Sequence, residues 1–375
     1  MKKWGAALGL TAVLLLAGCG RAVLPYAREM GDMALLRTMG VDLEGQTEQV
    51  RVTVSTGKRA AGLQGESQPS LVLSALGNSI SGACLSLQAL SDSYVFFGYV
   101  DQLLLGEQAA LAGIEPVLDY FSRDVELGLG AQIWLIRGET AQTAVQAGGE
   151  KGVEIRLSTL QTDSELGTAG ITRTAGDVFS SLLEQGCAYL PALQIVNPAE
   201  MGGEAVLLEA GYGVLQDGVL VGYLEGESAR GLELLTGQVG KDIIEAELPS
   251  GNTVARITGA NVRLEPVFHG NELVQICLHC RVTAELAEFH TPMAEEELEQ
   301  LKGQLEERES LRLQRVLDQL RSWGTDCADL GNQVGRANPA WWIGSQTEWA
   351  QLFSTVPIEI SVQVSMRRTY GDLAA

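Results

Sequence analysis

The stretch TPMAEEELEQLKGQLEERESLRLQRVLDQLRSWG, Thr291–Gly324, decides the fold of the C-terminal third. Leu298, Leu301, Leu305, Leu313, Val316, Leu317 and Leu320 recur at helical spacing, so one face of a long helix is apolar and the other charged. The pattern predicts the longest helix of the chain. Thr291 is its expected N-cap, with Pro292 at its first position, Glu295, Glu296 and Glu297 at the positive end of its dipole, and Gly324 as its stop. A stripe this wide faces a core, and strands to form that core lie on both sides of it. Val254 to Glu265 and Glu272 to Leu286 alternate around a turn at Phe268-His-Gly-Asn271, and Pro357 to Met366 places Ile358, Ile360, Val362, Val364 and Met366 on one face. Asn338-Pro-Ala-Trp-Trp342 reads as an aromatic loop and Glu348 to Phe353 as a short helix. The expectation for 254–375 is a mainly antiparallel sheet packed on one long helix.

Upstream, strands and helices interleave, which predicts an α+β or α/β domain over 28–198. Val50 to Ser55 is a half-buried strand, Ile80 to Leu90 a helix, Tyr94 to Leu105 an apolar strand-like run. Gln108 to Ala112 and Glu115 to Phe121 are helices separated by Gly113. Gln132 to Arg137 reads as a buried strand and Thr140 to Ala147 as a helix, and Val153 to Leu160, a helix from Asp177 to Leu183, and Pro191 to Val196 complete the domain. The polar, glycine-bearing stretch from Asn197 to Glu204 is a plausible boundary. After it, Asp217-Gly218 between two apolar runs signals a hairpin, and Glu227 to Leu235 a helix. These define an expected middle module over 199–253.

The N-terminus is a leader. Lys2 and Lys3 precede an apolar run, Ala6 to Leu16, too short to span a bilayer. It ends in Leu16-Ala-Gly-Cys19, the pattern on which bacterial lipoprotein processing acts. Residues 1–18 are thus expected to be removed, Cys19 to carry diacylglycerol, and 19–27 to form a tether. Two acyl chains give stable anchoring where one is marginal.

Composition narrows the function. The chain has 375 residues, 46% of them apolar, and only ten prolines, which fits a folded protein of several domains. Its formal net charge of −21 argues against nucleic acid and against an electrostatic grip on anionic lipid, both of which need basic surface. Besides Cys19, the cysteines are Cys84, Cys187, Cys277, Cys280 and Cys327, an odd set without framework spacing, so pairing stays open. Cys277-Leu-His279-Cys280 has zinc-ligand residue types, but strand alternation sends Cys280 to the face opposite Cys277 and His279, so no metal site is expected. His269, His279 and His290 lie in no catalytic signature, and neither a nucleophile elbow nor a phosphate loop is present. No catalytic residue and no cofactor are expected.

The lipobox, Arg28-Glu29-Met30-x-Asp32 and Gly40-Val41-Asp42 resemble the start of the Ger(x)C spore-germination lipoproteins. The likeness continues in order through Gly77-Asn78-Ser79, Gly106-Glu107, Gly113 and Tyr120-Phe-Ser-Arg123-Asp124. It runs on through Leu220-Val-Gly-Tyr-Leu224, Glu227, Gly231 and Gly237, then Glu285, the long helix, Asp329-Leu-Gly331 and Pro339-x-Trp341. Two departures touch membrane-proximal detail: Gly20 to Ala27 intervene before Arg28, and Tyr99 stands where the family often has histidine. The resemblance implies a three-domain α+β lipoprotein ectodomain with mixed and antiparallel sheets. It also implies a non-enzymatic subunit of a nutrient germinant receptor on the outer face of the spore inner membrane, working with membrane-embedded A- and B-type subunits. The alternative class is a solute-binding lipoprotein of a transporter; a cell-envelope hydrolase ranks below both.

Overall fold

The computed structural model describes residues 33–45, 49–58, 68–197, 203–240, 242–249, 251–288 and 294–367. Within them the chain is mixed α+β, built on an eight-stranded and a four-stranded sheet. A small parallel pair, β1 (Met33–Leu35) with β5 (Tyr94–Phe96), stands beside the larger sheet.

The larger sheet contains β2 (Thr38–Glu44), β3 (Gln49–Ser55), β4 (Val72–Gly77), β6 (Gln102–Gly106), β7 (Gln132–Ile136), β8 (Cys187–Val196), β9 (Val206–Gln216) and β10 (Val219–Leu224), in the order β10-β9-β8-β7-β6-β2-β3-β4. Its centre, β2-β6-β7-β8, is parallel and both flanks are antiparallel. Parallel strands covered on both faces need apolar residues at successive positions, and Leu103, Leu104 and Leu105 in β6 are all fully buried. Helices α1 (Ile80–Leu90), α2 (Glu107–Ala112), α3 (Glu115–Arg123) and α6 (Ala175–Gln185) cover one face. The other face carries α4 (Ala141–Ala147) and α5 (Glu154–Glu165). The apolar run Tyr94 to Leu105 is two strands and not one: a turn closed by the Val100 N–H on the Phe97 carbonyl, 2.9 Å, sends β5 to β1 and β6 into the sheet.

The hairpin at Asp217-Gly218 forms as its composition requires. Both residues take positive φ, 49° and 77°, the conformation of the tight turns that match strand twist. Its partner, however, is the larger sheet, since β9 pairs with β8 from Val196↔Val206 to Cys187↔Gln216. That corrects the expectation of a separate module over 199–253, whose elements are divided. The hairpin extends the first sheet, while α7 (Gly226–Thr236) and β11 (Asp242–Leu248) join the second core.

The second sheet runs β11-β12-β13-β14, with β12 (Gly251–His269), β13 (Glu272–Glu288) and β14 (Ile358–Arg367). The first three strands are antiparallel and β14 is parallel to β13. Across it lies α8 (Glu295–Trp323), whose Leu301, Leu305, Leu313, Val316, Leu317 and Leu320 are buried as the stripe predicts. Burying six such side chains contributes on the order of 10 kcal/mol, so packing holds this highly charged helix. Its start differs from expectation: Ala294 is the N-cap and no side chain accepts there, leaving the three first-turn glutamates to offset the helix dipole. Thr291 and Pro292 lie outside the described residues. The expected aromatic loop is also corrected, because α9 (Leu330–Ala337) leads into α10 (Pro339–Ser345) and α11 (Trp349–Thr355). The Asn338 side chain accepts the Trp341 N–H at 3.3 Å, with proline at the first helical position, which starts α10.

Candidate functional site

The carboxyl ends of parallel strands are where α/β sheets open clefts, and a large cavity lies at that end here, between α1, α2 and α3. It measures about 760 Å³, the size of ordinary small-ligand or peptide-tip pockets. Asp42, Asn78, Ser79, Gly113, Tyr120, Arg123 and Asp124, all from the stretches that carry the family resemblance, line it together with Val41, Leu43, Val50, Ile80, Pro116 and Val117.

The polar groups at this end serve the fold. Asp42 Oδ1 accepts the Ala141 N–H at 2.7 Å and Oδ2 the Gln142 N–H at 2.9 Å, so it caps α4 from a neighbouring strand. Burial raises its pKa against the lowering effect of those two bonds. Gly106 has no room for a Cβ because the Asp42 carboxylate fills that space. Ser79 Oγ caps α1 by accepting the Gly82 N–H at 3.1 Å. Burial pushes the Cys84 thiol up to about 11, with Tyr120 hydrogen-bonded to it. A hydroxyl spent on capping and, just beneath the cleft, a thiol held protonated are poor nucleophiles.

A second hollow, about 470 Å³, lies where the two sheets meet and is lined by Cys187, Gln216, Asp326, Asp329, Gly331, Trp342 and Trp349 among others. Asp326 is its anchor. It accepts the N–H groups of Leu330 at 3.0 Å and Gly331 at 2.6 Å and the Trp349 indole at 2.8 Å, and burial pushes its pKa up to about 6. Contacts cross the seam nearby: Gln185 to Asp329 at 2.8 Å, Thr325 to Gln216 at 3.1 Å, and Gln319 to the Tyr223 carbonyl at 2.9 Å. The motif residues of 220–237 work here too. Gly222 packs on Trp323, Tyr223 donates to Glu107 at 2.5 Å, Glu227 meets Arg312 at 2.6 Å, and Gly231 lies against the Arg312 backbone.

Cys280 is buried and its thiol pushed up to about 12 by burial, whereas Cys277 is half-buried and His279 lies on the outer face, as alternation requires. Sequence reasoning missed one grouping there. Ser361 Oγ lies 2.8 Å from His279 Nδ1, and Glu265 Oε2 lies 3.7 Å from Nε2. These are the residue types of a hydrolytic triad. They stand on an open sheet face with His279 and Glu265 half or more exposed, where water is not excluded. The parallel register of β14 on β13 brings Ser361 opposite His279, a pairing no local sequence signal carries. All five cysteines other than Cys19 are free thiols. His290 and Cys19 lie outside the described residues. Tyr99 is exposed with its ring edge-on to Phe96.

Residues 26–195 match the family profile described as spore germination protein N-terminal domain, and residues 210–370 that of spore germination B3/GerAC like, C-terminal. The chain belongs to the Ger(x)C family. This Ger(x)C chain is also similar in fold to a solved protein described as the crystal structure of the GerBC protein, with a TM-score of 0.59 at 16% identity. The match covers 88% of this chain and 96% of that one. No curated protein matches. By homology the Ger(x)C chain falls with the germinant receptor C subunits, a family not known as enzymes. No helix among its described residues is long and apolar enough to cross a membrane.

Proposed function

We propose that this Ger(x)C chain is a lipid-anchored, non-catalytic receptor subunit that acts by contact. Held by Cys19 on the outer face of the spore inner membrane, it docks on membrane-embedded A- and B-type subunits and is required for nutrient-triggered germination. The observation that carries this reading is the lipobox Leu16–Cys19 directly ahead of family matches that begin at residue 26 and run to 370. A cleft in which Asp42 and Ser79 are committed to capping, and buried thiols held protonated, support a role in binding.

Cys19→Ala tests the anchor. The wild-type chain should begin at Cys19 with the mass of a diacylglyceryl group and sediment with membranes. The variant should carry no lipid and either stay an uncleaved precursor or leave the membrane, with an unchanged circular dichroism spectrum because the anchor adds nothing to the core. A bare Cys19 on the mature wild-type chain contradicts the proposal.

A further inference from the structure

Five buried side-chain oxygens among the described residues have no hydrogen-bond partner. Four of them, Thr38 Oγ1, Asp101 Oδ1, Gln132 Oε1 and Glu154 Oε2, lie at one end of the eight-stranded sheet. Native interiors pair nearly all such atoms, so a group of orphans in one place marks a missing partner.

The register explains how they meet. Thr38 pairs with Gln102 and Gln102 with Gln132, at the amino ends of β2, β6 and β7. Gly40, two residues beyond Thr38, packs on Ala141 of α4, and Trp134, two beyond Gln132, gives its indole N–H to Gln102 Oε1 at 2.8 Å. Alternation therefore turns Thr38, Gln102 and Gln132 toward the face covered by α4 and α5. Glu154 opens α5 on that face, and its carboxylate rests against Gly57 and Gly152, where a Cβ would have no room. Asp101 directly precedes β6. Its Oδ2 takes the Arg37 guanidinium, with Nε at 3.1 Å, which leaves Oδ1 free.

Every orphan is an oxygen, and Thr38 and Glu154 are more than nine-tenths buried. Arg37 bonds Asp101 and reaches Glu154 only through its charge, while burial raises the Glu154 pKa, so this carboxyl is met either by a proton or by a cation. We propose that this end of the sheet binds a hard, oxygen-seeking divalent cation of the calcium type, with the Glu154 and Asp101 carboxylates and the Thr38 hydroxyl as ligands and water completing the shell. The Gln132 amide oxygen lines the wall one strand further on. Donors of mixed type from separate elements suit the loose shell of calcium better than the strict octahedron of magnesium, and nitrogen or sulfur ligands for zinc are not part of the set.

The test is calcium chloride titrated by calorimetry into the full lipid-bearing chain, in detergent after treatment with a chelator, beside two single variants, Glu154→Gln and Thr38→Val. The wild type should take up one saturable equivalent of calcium and melt at higher temperature with it. Glu154→Gln, which keeps the shape and removes the charge, should bind about 10-fold or more weakly and lose the thermal shift, and Thr38→Val should weaken binding without abolishing it. A chain of net charge −21 also attracts calcium diffusely. Uptake that never saturates, or that is equal in wild type and Glu154→Gln, overturns the proposal.

Discussion

Arg312→Met is expected to lower the unfolding free energy of the C-terminal half by about 3–5 kcal/mol, the usual cost of removing one member of a buried ionic group. Arg312 is 3% exposed and Glu309, one turn earlier on α8, is fully buried. The guanidinium meets Glu309 at 2.9 Å and Glu227 of α7 at 2.6 Å, and it also reaches Asp242 of β11. Burial alone would lower the Arg312 pKa, but the Glu227 bond and the charges of Glu309 and Asp242 outweigh it and raise it. One cation thus holds three acids from three elements. Without it Glu309, whose pKa burial already raises and whose Oε2 has no partner, keeps only the weaker charge effect of Arg308, with no ion pair. Trp323, Trp341, Trp342 and Trp349 all lie in this half, so urea unfolding followed by tryptophan fluorescence reads the loss as a lower midpoint. Adding Glu309→Leu to Arg312→Met should recover part of it, because an apolar pair replaces a stranded charge. Equal midpoints for wild type and Arg312→Met would show that the network carries no stability.

Asp326 gives the second large effect, and it depends on pH. Its folded pKa, about 6, stands above the ordinary 3.8 because burial outweighs the three N–H groups it accepts. A group raised on folding contributes stability that is fully present below the unfolded value and lost as pH rises through the folded one. Between about pH 4 and pH 7 wild type should therefore lose about 2 kcal/mol relative to Asp326→Asn, which does not titrate. The variant has its own constant cost, since one amide oxygen cannot accept from Leu330, Gly331 and Trp349 together. The signature is the slope: the difference in midpoint between the two proteins shrinks as pH rises. A difference that stays constant from pH 4 to 7 contradicts the raised value.

Much of the fold was legible because its signals are local. The stripe of α8, the Asp217-Gly218 turn and the period-2 run of β14 each specify an element from a few neighbouring residues. Asn338-Pro339 carried a helix-start signal that its aromatic neighbours obscured, and α10 begins there. Strand partnership was not legible. Nothing in Val206 to Leu224 says that the hairpin joins β8 rather than its own module, since that choice is made by residues a whole domain away. The same holds for the cleft. Asp42, Asn78, Gly113 and Asp124 are distant in sequence, and only the parallel order of β2 and β6 with the antiparallel β3-β4 flank brings them to one end.

The claim that this Ger(x)C chain works by contact at a membrane is tested most directly by recovering an affinity-tagged chain from detergent-solubilised spore membranes and identifying what comes with it by mass spectrometry. Two polytopic membrane subunits of a germinant receptor should co-purify in amounts comparable to the tagged chain. Recovery of the chain alone, or from the soluble fraction with its first cysteine unmodified, would contradict the account.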